Sequence, residues 1–167
     1  YHLQDAEMAY ATGRCMCHAE IRVPFEADDV VAMVRKVFEQ RVVFHDGEDQ
    51  IAPGITVHRI GGHSKGLQSV RVKTRRGHVV LASAASHLYA HFMEGRVFPV
   101  THSVADTLEG YATLRRLAAS LDHIVPGHDP QVLERYPPAH ADLDNWVVRL
   151  DVQPRDVERG QAAGAAV

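Results

Sequence analysis

The run Val79-Val80-Leu81 is apolar at every position, so it belongs to a strand covered on both faces. The turn Arg75-Arg76-Gly77 joins it to Leu67 to Thr74, which carries Leu67, Val70 and Val72. Together they predict an antiparallel hairpin over 67–81. Two strands precede it: Val42 to His45, closed by the turn Asp46-Gly47, and Ile55 to Ile60, with a mostly two-residue alternation. Amphipathic helices flank this β-rich block. Ala27 to Phe38 places Val30, Val34, Val37 and Phe38 on one face, with Asp28 and Asp29 in its first turn. Ser103 to Leu121 carries the stripe Val104, Leu108, Tyr111, Leu114, Leu117 and Leu121, and Ser103 with Asp106 resembles a capping box.

The remaining elements are shorter. Tyr1 to Leu3 reads as the end of a strand, and Gln4 to Ala11 as a helix with Asp5 and Glu7 near its positive end. Thr12 to Pro24 reads as a loop. Ser86 to Met93 is expected to be a helix carrying His87, Tyr89 and His91. A strand over His123 to Val125, a helix over Gln131 to Tyr136 stopped by Pro137-Pro138, and a last strand over Trp146 to Leu150 complete the pattern.

Two histidines stand in glycine-framed loops directly after strands. His63 lies in Ile60-Gly61-Gly62-His63-Ser64-Lys65-Gly66, and His128 in Val125-Pro126-Gly127-His128-Asp129-Pro130. Glycine lets the backbone turn sharply and leaves room beside the imidazole, which then projects from rigid backbone into a cleft. Neutral imidazoles brought together in this way suit zinc, iron or manganese. The chain offers no third ligand with comparable placement. Twelve histidines are present, and His45, His58, His78 and His102 read as surface or packing residues. Cys15 and Cys17, followed by His18, are too few for a disulfide framework and read as reduced thiols rather than as a metal grip.

At 167 residues the chain can bury one sizeable core. A net charge of -3 gives no bulk attraction to nucleic acid or anionic membranes. No apolar run approaches the ~20 residues that a membrane span requires. Nothing at the start resembles a signal peptide, and a cytoplasmic location is expected. The chain lacks an initiator methionine and opens directly on structure-like sequence, so its true N-terminus is expected to lie upstream.

Three segments resemble a known family. Gly61-Gly62-His63-Ser64-Lys65-Gly66-Leu67-Gln68-Ser69-Val70 is similar to the Gly-His-Ser/Thr-x-Gly segment of the metallo-β-lactamase superfamily. Val79-Val80-Leu81-Ala82-Ser83 leading into Ala84-Ala85-Ser86-His87, and then Pro126-Gly127-His128-Asp129, follow in the order and spacing of its N-acyl homoserine lactonase branch. The resemblance spans about Tyr1 to Leu150. It implies an α/β fold, the αββα metallo-β-lactamase sandwich, with two metals, usually zinc, between the sheets. A metal-bound hydroxide then attacks a carbonyl. In the lactonase branch the carbonyl belongs to a lactone, and opening the ring silences a quorum signal.

The resemblance assigns His63 and His128 as metal ligands. His87 falls where lactonases carry a tyrosine or histidine near the substrate carbonyl; as a catalytic group it would polarise that carbonyl or donate a proton, the alternative being a surface histidine. Two departures stand out. The family's His-x-His-x-Asp-His segment does not occur, and in relatives it lies upstream of the region matching Tyr1. Residues 1–152 are therefore expected to be the C-terminal portion of an incomplete sandwich, followed by a polar, Ala- and Gly-rich tail over 153–167. The aspartate that bridges the two metals is replaced by Ala84, a methyl group that ligates nothing.

Zinc binding by this chain is accordingly expected to be poor. A small-molecule lactone or ester is the expected substrate of the parent protein. An exposed inner sheet face predicts self-association or pairing with the missing N-terminal half. The competing reading is a non-catalytic relative that keeps the fold as a binding module.

Overall fold

The computed structural model describes residues 1–155. The chain forms two compact units, Tyr1–Asp129 and the stretch from Pro130 onward. The first opens with strand β1 (His2–Gln4) and helix α1 (Asp5–Ala11), followed by the short α2 (Ala19–Arg22) and by α3 (Ala27–Phe38). Strands β2 (Val43–His45), β3 (Glu48–Ala52), β4 (Ile55–Arg59), β5 (Gln68–Thr74) and β6 (Gly77–Ser83) come next. Helices α4 (Tyr89–Glu94) and α5 (Val104–Leu117) then lead to β7 (Ile124–Pro126). The second unit contains α6 (Gln131–Arg135) and a 3-10 turn, Ala141–Leu143.

The main sheet has the order β3-β4-β5-β6-β7, and β1 with β2 makes a separate parallel pair. Strands β3 to β6 are antiparallel to their neighbours, whereas β7 runs parallel to β6. It follows that β4, β6 and β7 all point the same way and end at one edge of the sheet. The predicted hairpin is present, with Val72 opposite Val79 and Val70 opposite Leu81. Val79, Val80 and Ala82 are all buried, as a strand covered on both faces requires.

The two sheets are stitched by a buried amide. Gln4 accepts from the Gly47 N–H at 2.9 Å, donates to the Gly47 carbonyl at 3.1 Å, and donates to Gln68 Oε1 at 3.1 Å. At 1 % exposure this side chain survives burial because both ends of its amide are bonded.

Helix α5 begins where expected, with the Ser103 hydroxyl accepting from the Asp106 N–H at 3.1 Å. It ends at Leu117 rather than Leu121, and its buried face matches the expected stripe only in part, at Tyr111 and Leu114. Thr107, Gly110, Tyr111 and Leu114 are buried, while Val104 and Leu108 are exposed. Close approach selects this face: a Cβ on Gly110 would fall 2.7 Å from Ile60 Cγ2.

Other expectations need correction. The stretch read as a loop over Thr12 to Pro24 contains the 3-10 turn Arg14–Cys17 and α2. β3 was not expected, because Glu48, Asp49 and Gln50 are exposed polar residues on an edge strand and leave no apolar alternation. Trp146 to Leu150 forms no strand, only a single bridge between Pro138 and Val148, and Trp146 is 83 % exposed. The tail beginning at Gln153 lies outside the described residues from 156 onward. No described helix is long and apolar enough to cross a membrane.

Candidate functional site

Three loops leave the sheet at the shared edge of β4, β6 and β7. After β4, Gly62 takes φ +90°, and a Cβ there would lie 2.5 Å from Thr107 Oγ1, so glycine is required twice over. The Gly62 carbonyl accepts from the backbone N–H groups of His102 and Ser103, at 2.9 and 3.0 Å. Next to it, His63 Nδ1 lies 2.6 Å from the Val100 carbonyl. A carbonyl only accepts, so a proton is on Nδ1, and in the neutral ring Nε2 then carries the lone pair. A carbonyl partner of this kind is how ligating histidines are commonly oriented.

The exits of β6 and β7 are fastened together. Ser83 adopts φ +53° at a slip in the β6–β7 register, and Gly127 lies so close to it that a Cβ would meet the Ser83 carbonyl oxygen at 2.5 Å. Beyond this contact the Gly127 N–H donates to Ser86 O and the His128 N–H to His87 O, both at 3.0 Å. His87 therefore precedes α4 rather than riding on it, a correction to the sequence reading. Asp129, also buried, accepts from the Tyr89 N–H at 2.9 Å and so closes the N-terminus of α4.

These constraints gather the three expected histidines. The His87 ring centroid lies 4.6 Å from that of His128 and 5.3 Å from that of His63. His87 also stacks on Phe98 at 3.9 Å, and His91 stands 6.0 Å away. His87 Nε2 is buried without a hydrogen-bond partner. Burial above all, and then His128, His63 and His91, push the His87 pKa down to about 4. The imidazole is thus neutral near pH 7. His87 is half-buried in the cluster rather than a surface histidine, while His128 is exposed.

Other residues land elsewhere. Lys65 is exposed, and Tyr89 and Phe92 are buried as packing residues. His45 and His58 are interior and bonded: His45 lies between His2 Nδ1 at 2.9 Å and Asp49 Oδ2 at 2.8 Å, and His58 meets Thr56 Oγ1 at 2.8 Å. The contributions of His91, Phe98 and Val100 were not legible, since none sits in a glycine-framed loop and their places depend on tertiary packing.

No family model matches the sequence. The search of curated proteins also found no match. Solved structures do resemble the fold. A variant of AiiA from B. thuringiensis with N-decanoyl-L-homoserine at its active site superposes with a TM-score of 0.63 at 20 % identity, over 80 % of this chain and 48 % of that one. AbOPH, a hydrolase of the β-lactamase superfamily, gives 0.60 at 17 % identity, over 77 % of this chain and 47 % of that one. AidC, a dizinc quorum-quenching lactonase in complex with a product, gives 0.55 at 10 % identity, over 77 % and 47 %. This is part of a metallo-β-lactamase fold. The chain spans about half the length of the solved structures it resembles.

A metallo-β-lactamase fold implies two metals, and the donors present can be tested against that group. His63 offers a bare, oriented Nε2, which suits a ligand. Ala84 offers a methyl group, and the carboxylate of Asp129 is engaged with the Tyr89 backbone. Among the described residues no three His, Cys, Asp or Glu side chains form a group that could hold a metal ion, and this includes Cys15, Cys17 and His18. The described residues therefore do not fit a two-metal centre.

Proposed function

We propose that this chain carries part of the cleft of a metal-dependent hydrolase that opens lactones or related esters. The observation that carries the reading is the convergence of His63, His87 and His128 where β4, β6 and β7 end together. The likeness to lactonases solved with N-acyl homoserine products supports an N-acyl homoserine lactone as the substrate of the parent protein, and quorum quenching as its role. In this reading His63 and His128 each provide one ligand, and zinc is the metal that the dizinc relative suggests. His87, neutral and desolvated, is the catalytic group that hydrogen-bonds the substrate carbonyl. Free thiols at Cys15 and Cys17 accord with a cytoplasmic location.

Because a two-metal donor set is lacking among the described residues, the chain by itself is expected to bind zinc weakly and to turn over little. The test is zinc content and hydrolysis of an N-acyl homoserine lactone, with Ala84 as found and with Ala84→Asp. A gain of bound zinc and of turnover in the aspartate variant, lost again with His63→Ala or His128→Ala, supports the hydrolase. Ala84 itself favours a second reading, a non-catalytic module that keeps the cleft for ligand binding. Absence of zinc from both forms, with lactone still bound, would select it.

A further inference from the structure

Glu7 stands in the first turn of α1, where a negative charge suits the helix dipole, yet its carboxylate is aimed elsewhere. Glu7 Oε2 accepts from the Ser64 hydroxyl and from the Gly66 backbone N–H, both at 2.7 Å. Ser64 is 2 % exposed, so the carboxylate is held against the inside of the loop that carries His63. The fit is close: a Cβ on Gly66 would fall 2.1 Å from the Glu7 nitrogen. On the other flank of the loop, His63 Nδ1 donates to Val100, and Gly62 accepts from His102 and Ser103. The loop that carries the imidazole is therefore gripped from two sides, and Glu7 brings a charged group to that grip. A carboxylate accepting two hydrogen bonds holds more firmly than neutral partners do.

We propose that Glu7 is the positioning residue for His63: its carboxylate fixes residues 61–66 so that the imidazole turns Nδ1 to Val100 and presents a bare Nε2 to the cleft. This deepens the hydrolase reading and rests on it for its functional meaning. Glu7 touches no reacting atom and acts only through the loop. Glutamine at this position keeps an oxygen where Oε2 stands and can accept both bonds without the charge. Alanine removes them.

The test reads the histidine ring nitrogens of the full chain by long-range proton–nitrogen NMR correlation near pH 7.5, with no metal and no substrate. In the unsubstituted protein His63 is expected as a single tautomer with the proton on Nδ1. Glu7→Ala should lose that preference and populate both tautomers, and Glu7→Gln should restore most of it. Ser64→Ala, which removes one of the two bonds, should fall between them and serves if Glu7→Ala does not fold. An unchanged His63 signal in Ser64→Ala, and in Glu7→Ala where it folds, with only a lowered melting temperature, would overturn the proposal. So would a His63 protonated on Nε2 from the start. Since no turnover is measured, a failure of the hydrolase reading leaves this result intact, and the reverse holds equally.

Discussion

Where Gly127 meets Ser83, two strand exits touch backbone to backbone, and a single methyl group decides whether they can. Gly127→Ala places a Cβ 2.5 Å from the Ser83 carbonyl oxygen, an atom that cannot rotate away. Overpacking of this kind costs about 1–3 kcal/mol. The expected outcome is a lower melting temperature together with loss of the His87–His128 contact, read as a change in both ring signals; an unchanged melt would show that the exits are not in register-defining contact. His87 predicts the opposite sign. Its Nε2 is buried with no partner, and an unsatisfied buried polar atom costs about 1–3 kcal/mol. His87→Phe keeps a ring stacked on Phe98 and removes that atom, so the protein is expected to become more stable. A destabilised His87→Phe would mean that Nε2 is satisfied in solution. Polar groups kept at such a cost are characteristic of working sites.

Helix α5 is the element on which the His63 loop leans, and its start is fixed by one hydroxyl. Ser103→Ala removes the bond to the Asp106 N–H and is expected to cost about 1 kcal/mol, measurable by urea unfolding with an unchanged slope. This cap was legible because it is local: Ser103 and Asp106 are three residues apart. The bounds of α3 and the β5–β6 hairpin were legible for the same reason, each being written in periodicity and turn residues within its own span. The buried face of α5 was legible only in part, through Tyr111 and Leu114. The rest of that face is made by Thr107 and Gly110, small residues whose value lies in what they let approach, whereas the stripe also included Val104 and Leu108, which are exposed. The site divides in the same way. His63 and His128 announce themselves through flanking glycines, and His87 through family resemblance alone. Glu7, Phe98, Val100 and Asp129 act on partners far along the chain, so no local pattern marks them.

Taken as a whole, the chain leaves much apolar surface open and holds several imidazoles in conditions that disfavour their charge. Phe38 is 85 % exposed on α3, and both Val43 and Phe44 of β2 are exposed although they point to opposite faces. Concentration-dependent association is therefore expected in sizing experiments, weakened by Phe38→Ser, and a sharp monomer at all concentrations would count against it. The pH dependence follows from His58, His78, His87 and His91, all lowered from the ordinary value and each chiefly by burial. In the unfolded chain these rings titrate near 6.5. Between that value and the folded one, which for His87 is about 4, the unfolded chain binds more protons than the folded chain. Stability then rises with pH across the interval: it is complete above about 6.5 and declines steadily as the pH falls. Asp49, lowered chiefly by its hydrogen bond to His45, adds a loss of the same sign below the ordinary carboxylate range. Thermal melts from pH 7.5 to 5 should show a falling midpoint, with a shallower slope in His58→Gln, whose replacement cannot take up a proton. A midpoint that stayed level or rose toward pH 5 would mean that these rings are already solvated and charged in the folded protein, and that the imidazole cluster is open to water.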